Sequence, residues 1–526
     1  MKKKILTIAI ILNCSFIMAQ TEFDALKVVQ SDINGTARYM SMAGAFGALG
    51  GDASAIKDNP AGLGIYRSSE MTGTLNLMVQ NSNSIWNATN GYDNLNKIGF
   101  NNFSYVKATP TYRSEESNTG LLSSNWSFSF NRLKSFDRNS TIKSQYANSS
   151  ITDYMSYITN NAGNINSADL SSDNSPYDNI NVPWISVVGY QGYLINENVN
   201  PVTNQSTWPS LLGTNEQVKP SFSIQESGFL DEYSIGWAGN FSNFIYLGAT
   251  VNLQSLDYNE NSQYSEIFSG NGGMTLSNTI TTSGVGFNMN VGAIIRPIDM
   301  LRFGVSVHSP TVFSVTDNNY ANLDYYLTRF FTTNGNFDTP SATNSYMLST
   351  PWKFNGSAAV IIGQKGLISA EYDYSLNTGT SFMDQNGNSQ WYSDENSGMK
   401  SMLKDVQTIK IGAEFKLTNN ISLRAGYATM SAGSNPLADK LIRFNTTRTD
   451  TEYFLNNKTD YITGGIGYRE GNWYIDLAYM NKNIDETFYP YNTNELVRLN
   501  PNLSAVNPAS VKTMNNNIVI TVGFKF

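Results

Sequence analysis

Along residues 245–254 apolar and polar side chains alternate without a break. Ile245, Leu247, Ala249, Val251 and Leu253 hold one parity, and Tyr246, Gly248, Thr250, Asn252 and Gln254 hold the other. A period of two is that of a β-strand, whose successive side chains point to opposite faces. The pattern returns at Ile409, Ile411, Ala413, Phe415 and Leu417, set against Thr408, Lys410, Gly412, Glu414 and Lys416. It returns again through Ile421, Leu423, Ala425 and Tyr427, through Trp473, Ile475, Leu477 and Tyr479, and through Ile368, Ala370, Tyr372 and Tyr374 against Ser369, Glu371 and Asp373. A face that carries Lys410, Glu414 and Asp373 needs water, while its opposite face needs an apolar surrounding. Strands between lipid and a wet lumen have both. A soluble β-sandwich also alternates, but with shorter strands and its apolar parity turned inward.

The connections alternate too. Tight turns fall at Ser242-Asn243, Arg296 to Asp299, Gly363 to Gly366, Thr418 to Asn420 and Glu470 to Asn472, with a slightly longer one at Ser114 to Gly120; long Asn/Ser/Thr-rich gaps lie between them. Outer-membrane barrels show this asymmetry, with short periplasmic turns and long external loops. Strands are expected near residues 70–80, 100–112, 121–133, 231–241, 243–257, 276–296, 299–315, 350–363, 366–377, 406–417, 420–430, 460–469, 472–482 and 514–526. The expected fold is all-β: a transmembrane antiparallel β-barrel of about fourteen strands, an even number as closure demands, with both ends on the periplasmic side. The last strand alternates Ile518, Ile520, Val522, Phe524 and Phe526 with Val519, Thr521, Gly523 and Lys525, and ends in the aromatic residue that barrel-assembly machinery expects.

Composition excludes the competing classes. Only 14% of the 526 residues are charged, against roughly a quarter in ordinary soluble proteins. Aromatics reach 12%, but mean hydropathy is −0.30, and no stretch after the leader approaches the ~18–20 apolar residues of a spanning helix. A net charge of −8 without a Lys/Arg cluster beyond the first residues argues against nucleic acid as a partner. Lys2 to Lys4, the apolar run Ile5 to Met18 and then Ala19-Gln20 form a secretory leader, expected over residues 1–20. The one cysteine, Cys14, falls inside it, so the mature chain has no thiol for a disulfide, a metal site or a nucleophile. The expected location is the outer membrane of a Gram-negative bacterium.

Residues 21–67 do not alternate, and a barrel of this size has a lumen too wide for its own side chains to fill. A plug is expected there, ahead of a barrel over 68–526 with one long extracellular loop at about 134–230. Phe23 to Gln30 has helical spacing, the run Ala43 to Gly51 is small enough to thread a confined space, and Asp52 can cap a short helix that ends before Asn59-Pro60. The glycine run lacks the spacing of a phosphate loop. Gly35-Thr36-Ala37-Arg38, Gly51-Asp52-Ala53-Ser54-Ala55 and Asn59-Pro60-Ala61-Gly62-Leu63 resemble the amino-terminal hatch of the FadL/TodX family of outer-membrane transporters. The resemblance implies a plugged fourteen-stranded barrel that passively admits long-chain fatty acids or aromatic hydrocarbons, through apolar loops, a luminal site by the hatch and a sideways exit at a strand kink. It makes Gly51, Asp52, Asn59, Pro60, Ala61 and Gly62 the hatch motif. It also offers an alternative, since some relatives in Bacteroidetes-like secretion machinery act as scaffolds that hold or shuttle exported proteins.

The candidate ligand path joins two stations: an apolar loop cluster at Trp184, Ile185 and Tyr190, which could equally be a small local core, and the hatch residues Phe46 and Leu49. Glu371, Asp373, Lys410, Glu414 and Arg424, with Lys416 and Asp476, fall on lumen-facing parity of neighbouring strands, where opposite charges form structural networks or contact the plug more often than they bind substrate. His308, the single histidine, points inward beside Ser306 and has the chemistry of a haem ligand, with a Tyr partner, or of a general base; a haem receptor is the remaining alternative, set behind the other two because one histidine without a second His or a Cys is a poor metal site and such receptors resemble larger barrels. No catalytic group, metal or cofactor is expected, and the expected partners are hydrophobic small molecules, membrane lipid and the barrel-assembly machinery.

Overall fold

The structure, a computed structural model, describes residues 21–111, 119–213, 216–270, 272–329, 332–440, 442–443, 446–499 and 505–526. The expected leader with Cys14 lies outside them, as does most of the expected turn Ser114 to Gly120.

Fourteen strands form the wall. They are β1 Glu70–Trp86, β2 Thr89–Pro110, β3 Leu121–Ser135, β4 Val218–Phe241, β5 Ile245–Phe268, β6 Gly272–Ile298, β7 (Leu301–His308 continued by Val312–Leu327), β8 (Ala342–Ser349 continued by Lys353–Ile362), β9 Gly366–Ser375, β10 Val406–Lys416, β11 Ile421–Ser431, β12 Tyr453–Glu470, β13 Trp473–Tyr489 and β14 Ala509–Lys525. Each pairs antiparallel with its sequence neighbour, and β1 pairs with β14 from Glu70↔Lys525 to Ile85↔Ser510, closing the barrel. Closure leaves no strand edge in the lipid, where an unpaired backbone group costs several kcal/mol.

The strands run further outward than their apolar pattern predicts. On β5 the outward parity is apolar only to Leu253, then continues as Ser255, Asp257, Asn259, Asn261 and Gln263; on β6 it passes from Val291, Met289, Phe287 and Val285 to Ser283, Thr281 and Thr279. About ten residues suffice to cross the membrane. The remaining half of each strand stands outside it with the sense of the alternation reversed: the outward face is polar, and the inward face is apolar and packs under the cap. β4 accordingly begins at Val218, with Val218, Phe222 and Ile224 inward, so the long connection placed at about 134–230 ends at 217. That connection holds a short strand, Arg138–Lys143, paired to β4, and the helices Ile151–Asn161 and Trp184–Gln191. Trp208, Ile151, Met155, Ile185 and Val188 from it share one core with Phe222, Tyr264, Phe268, Leu276 and Leu323 of the strand extensions.

Residues 21–67 fold as α1 Glu22–Val29, α2 Ala37–Ser41 and two 3-10 turns, Ser54–Lys57 and Pro60–Ile65. Thr21 and Asp24 form a capping box on α1, and the Asp52 Oδ1 accepts from the Ser54 N–H at 3.0 Å. The segment touches β11 to β14 through α2 and β3 to β6 through the second 3-10 turn, so strands from around the circumference enclose it. It is a plug in the lumen.

Candidate functional site

A plug with so little regular structure has many backbone groups to satisfy. The wall satisfies them with inward side chains. Asn125 Nδ2 donates to the Leu63 and Tyr66 carbonyls (2.9 and 3.0 Å), Asn290 Nδ2 to Lys57 O (3.1 Å), Ser306 Oγ to Asp58 O (2.6 Å), Arg302 to Leu49 O (2.7 Å) and Thr463 Oγ1 to Ser41 O (2.9 Å). From the plug, Asn59 reaches the other way. Its Nδ2 donates to Gly47 O at 2.7 Å and reaches Ala293 O and Val305 O on β6 and β7 (3.3 and 3.4 Å), while its Oδ1 accepts from Ala61 N–H at 3.1 Å. Pro60 then starts the 3-10 turn, where its missing N–H costs nothing. Gly50 has φ +56°, and a Cβ on it would lie 2.5 Å from the Gly62 Cα, so the two glycines let two plug segments touch backbone to backbone.

The lumen-facing charges converge on the plug. Lys410 Nζ lies 2.8 Å from Glu371 and 2.7 Å from Asp373, and the second oxygen of Glu371 accepts the Gly47 N–H at 2.6 Å. Glu414 is shared by Arg38 of α2 (2.9 Å) and Arg424 (2.6 Å); Arg424 continues to Asp476, and Arg38 donates to Gly51 O at 3.1 Å. Each buried carboxylate has a partner, so these groups fasten α2 and the glycine run to β9, β10, β11 and β13.

Above this floor are two cavities. The first, about 160 Å³, has an apolar wall from Val28, Val29, Leu133, Leu230, Phe313 and Met430 and a polar floor from Lys57, Asp58, Glu232, Asn290, His308 and Lys353. The second, about 180 Å³, lies among Lys27, Lys134, Glu226, Glu260 and Lys482. Residues 30–32 line both, so the stretch leaving α1 is a strap between them. Lys353 donates to Val29 O (3.3 Å) and Lys134 to Lys27 O (2.8 Å), holding the last turn of α1, and Lys482 donates to Asp32 (2.5 Å), pinning the strap itself.

Solved structures supply the comparison. The toluene transporter TodX of Pseudomonas putida superposes with a TM-score of 0.50 at 12% identity, covering 95% of this chain and 100% of that one. A second TodX structure gives 0.51 at 12% identity, with 94% and 99% covered. A FadL homologue of Pseudomonas aeruginosa gives 0.50 at 11% identity over 95% and 99%. The chain has the FadL/TodX fold. No family model matches it, and no curated protein does. A closed barrel of this fold, with an apolar outward band and a luminal plug, is an outer-membrane barrel of a Gram-negative bacterium.

Within the FadL/TodX fold, the proposed ligand-path residues take places that the sequence does not show. Phe46 is fully buried against Tyr39 (ring centroids 5.7 Å) under the Arg38 guanidinium, and Leu49 is packed in the same cluster; neither lines the two cavities. Val28, Val29 and Phe313 do, a set that unites the plug with β7 and has no local sequence signal. Ile185 is fully buried and Tyr190 packs edge-on to Trp208 in the core of the external cap, while Trp184, buried with its Nε1 on Tyr177 O (3.2 Å) and its ring edge-on to Tyr177, lines an open cavity of about 510 Å³ with Pro340, Asn344 and Tyr392. His308 lines the first cavity with Nε2 2.8 Å from Asp58 O. Among the described residues no group of three His, Cys, Asp or Glu side chains is arranged to hold a metal.

One seam of the wall stops early. The β2–β3 ladder ends at Asn102↔Asn131, where Asn101 forms a bulge against β1. Beyond it β2 stays with β1, while the strand continuing β3 pairs only with β4. Outward residues at this height, Phe100, Ile98 and Phe130, are still apolar, and Phe100 stacks on Phe130. The backbone ladder therefore stops at the outer edge of the lipid-facing band, and beyond it side chains alone span the seam: Lys97 pairs with Asp137 (3.2 Å) and Ser84 Oγ donates to Thr141 O (2.7 Å).

Proposed function

We propose that this protein passively admits hydrophobic small molecules across the outer membrane, long-chain fatty acids or aromatic hydrocarbons among them, after loss of residues 1–20, with 21–67 as the hatch of a barrel formed by 68–526. The observation that carries the reading is the first cavity, whose apolar wall and hydrogen-bonding floor suit a hydrophobe with a small polar head. Burying apolar surface supplies roughly 25 cal/mol per Å², and the floor orients the head. Each cavity alone is smaller than the ~300 Å³ at which ligand pockets begin, so passage requires the strap to move and join them. The β2–β3 seam, closed above Asn102 by side chains and not by a backbone ladder, is the place where the wall opens most easily toward the outer leaflet. Mass spectrometry of small molecules bound to the purified barrel tests this: a hydrophobic species should accompany the wild type and be several-fold depleted in Val29→Asp, which puts a charge on the apolar wall. Equal occupancy in both would remove the cavity from the path.

A further inference from the structure

The chain carries −8 in all, yet its periplasmic end is cationic. Five successive periplasmic junctions around the barrel each carry a cation: Arg296 and Arg302 at β6–β7, Lys365 at β8–β9, Lys416 at β10–β11, Arg469 at β12–β13 and Lys525 at β14–β1. Three carboxylates lie on this arc against six cations, and two of them are paired with a cation. Asp299 pairs with Arg296 (2.6 Å), Glu70 with Lys525 (3.1 Å), and Glu470 accepts the Tyr468 hydroxyl (2.6 Å). Lys365, Lys416 and Arg469 are exposed, and none has a carboxylate partner among the described residues. They are also contiguous: Lys416 N–H donates to Lys365 O at 2.7 Å and Arg469 N–H to Asn420 O at 2.9 Å, linking one turn to the next.

Strand parity decides which way the arc faces. Lys416 shares the lumen parity of Lys410 and Glu414, Arg469 that of Gly467, and Lys525 that of Thr521, whereas Lys107 lies on the lipid parity of Phe103 and Tyr105. The arc is thus presented to the aqueous mouth rather than to headgroups. The nine spacings of ~4.8 Å between these ten strands run roughly 43 Å around the rim, too far for one small anion to bridge. A net positive field of that breadth steers and orients a macromolecule of opposite sign.

We propose that the periplasmic rim from the β6–β7 turn to the end of β14 docks the acidic face of a periplasmic protein, and does so whether or not the transport reading holds. The test uses the full chain in phosphatidylethanolamine nanodiscs, both ends open, with fluorescent poly-L-glutamate as the probe. Binding should weaken about tenfold in Lys365→Glu/Lys416→Glu/Arg469→Glu and on raising ionic strength from about 50 to about 300 mM. It should be unchanged in Lys143→Glu/Lys219→Glu/Lys512→Glu, which reverses exposed cations at the other end. Should the periplasmic triple variant fail to fold, the neutral Gln triple at the same sites serves, with a smaller loss. Equal binding by all variants would overturn the proposal. So would unchanged poly-glutamate binding together with loss of phosphatidylglycerol from mixed-lipid discs, which would assign the arc to lipid.

Discussion

Asn59 shows how much one side chain can hold. Its amide ties the Gly47 carbonyl and two wall strands to the start of the 3-10 turn, and each such bond contributes about 1 kcal/mol. Asn59→Ala should leave the barrel assembled, because the inter-strand ladders do not involve it, yet loosen the plug; entry of bulky antibiotics should rise several-fold while the heat-dependent gel shift is kept. The sequence shows that Asn59 can bond its own turn, as it does here by accepting from Ala61 N–H, but not that β6 and β7 supply its other partners, since those contacts span more than two hundred residues. Glu266, in the part of β5 that stands outside the membrane, is a second such residue. It accepts from Ile151 N–H (2.9 Å), from the Tyr264 hydroxyl (2.7 Å) and from Ser150. Burial, only partly offset by these bonds, pushes its carboxyl up to about 7. A folded-state value above the unfolded one, about 4.3, means that the folded cap holds the proton more tightly. The contribution is then most favourable below about pH 4.3 and is lost as pH rises through about 7. Limited proteolysis of the 144–217 cap should be slower at about pH 5.5 than at pH 8, and Glu266→Gln should flatten that difference.

At the scale of elements, the strands were legible wherever the outward parity is apolar and the inward one polar, the sense that lipid imposes, and were missed where that sense reverses. All fourteen expected segments fall on strands, but β4 to β6 run on with polar outward residues and an apolar inward row, Val218, Phe222 and Ile224 on β4, Tyr264 and Phe268 on β5 and Leu276 on β6, that faces the cap. The long connection is the converse case. Its apolar run Pro183 to Tyr190 reads as either a collecting surface or a core; the strand extensions fold over Ile185, Val187 and Val188, while Trp184 lines an open cavity beside that core. Trp184→Ala should therefore destabilise the cap locally, by about 3–5 kcal/mol for a well-packed site, and raise its protease sensitivity. The strap is the element on which the proposed passage depends. Removing the Lys482–Asp32 pin with Lys482→Met should increase the initial rate of hydrophobe uptake about two-fold or more; an unchanged or lower rate would show that the strap does not limit passage.

Taken as a whole, the molecule is a closed barrel around a plug that the wall grips from every side through hydrogen bonds and charge clusters. The architecture was written in alternation, turn spacing and the short motif from Gly51 to Gly62. The luminal site was not, because its lining is assembled from α1, β3, β4, β7 and β11, which only closure brings together. Closure predicts that the protein stays folded in cold detergent and changes gel mobility only on boiling. The central claim, passive admission of hydrophobic molecules past the strap, is tested most directly by uptake of labelled palmitate and toluene into cells that lack other such transporters, with and without an uncoupler. The account predicts uptake that depends on this protein, survives de-energisation and drops several-fold in Val29→Asp. Uptake that is absent for both compounds, or that stops with the uncoupler, would contradict it.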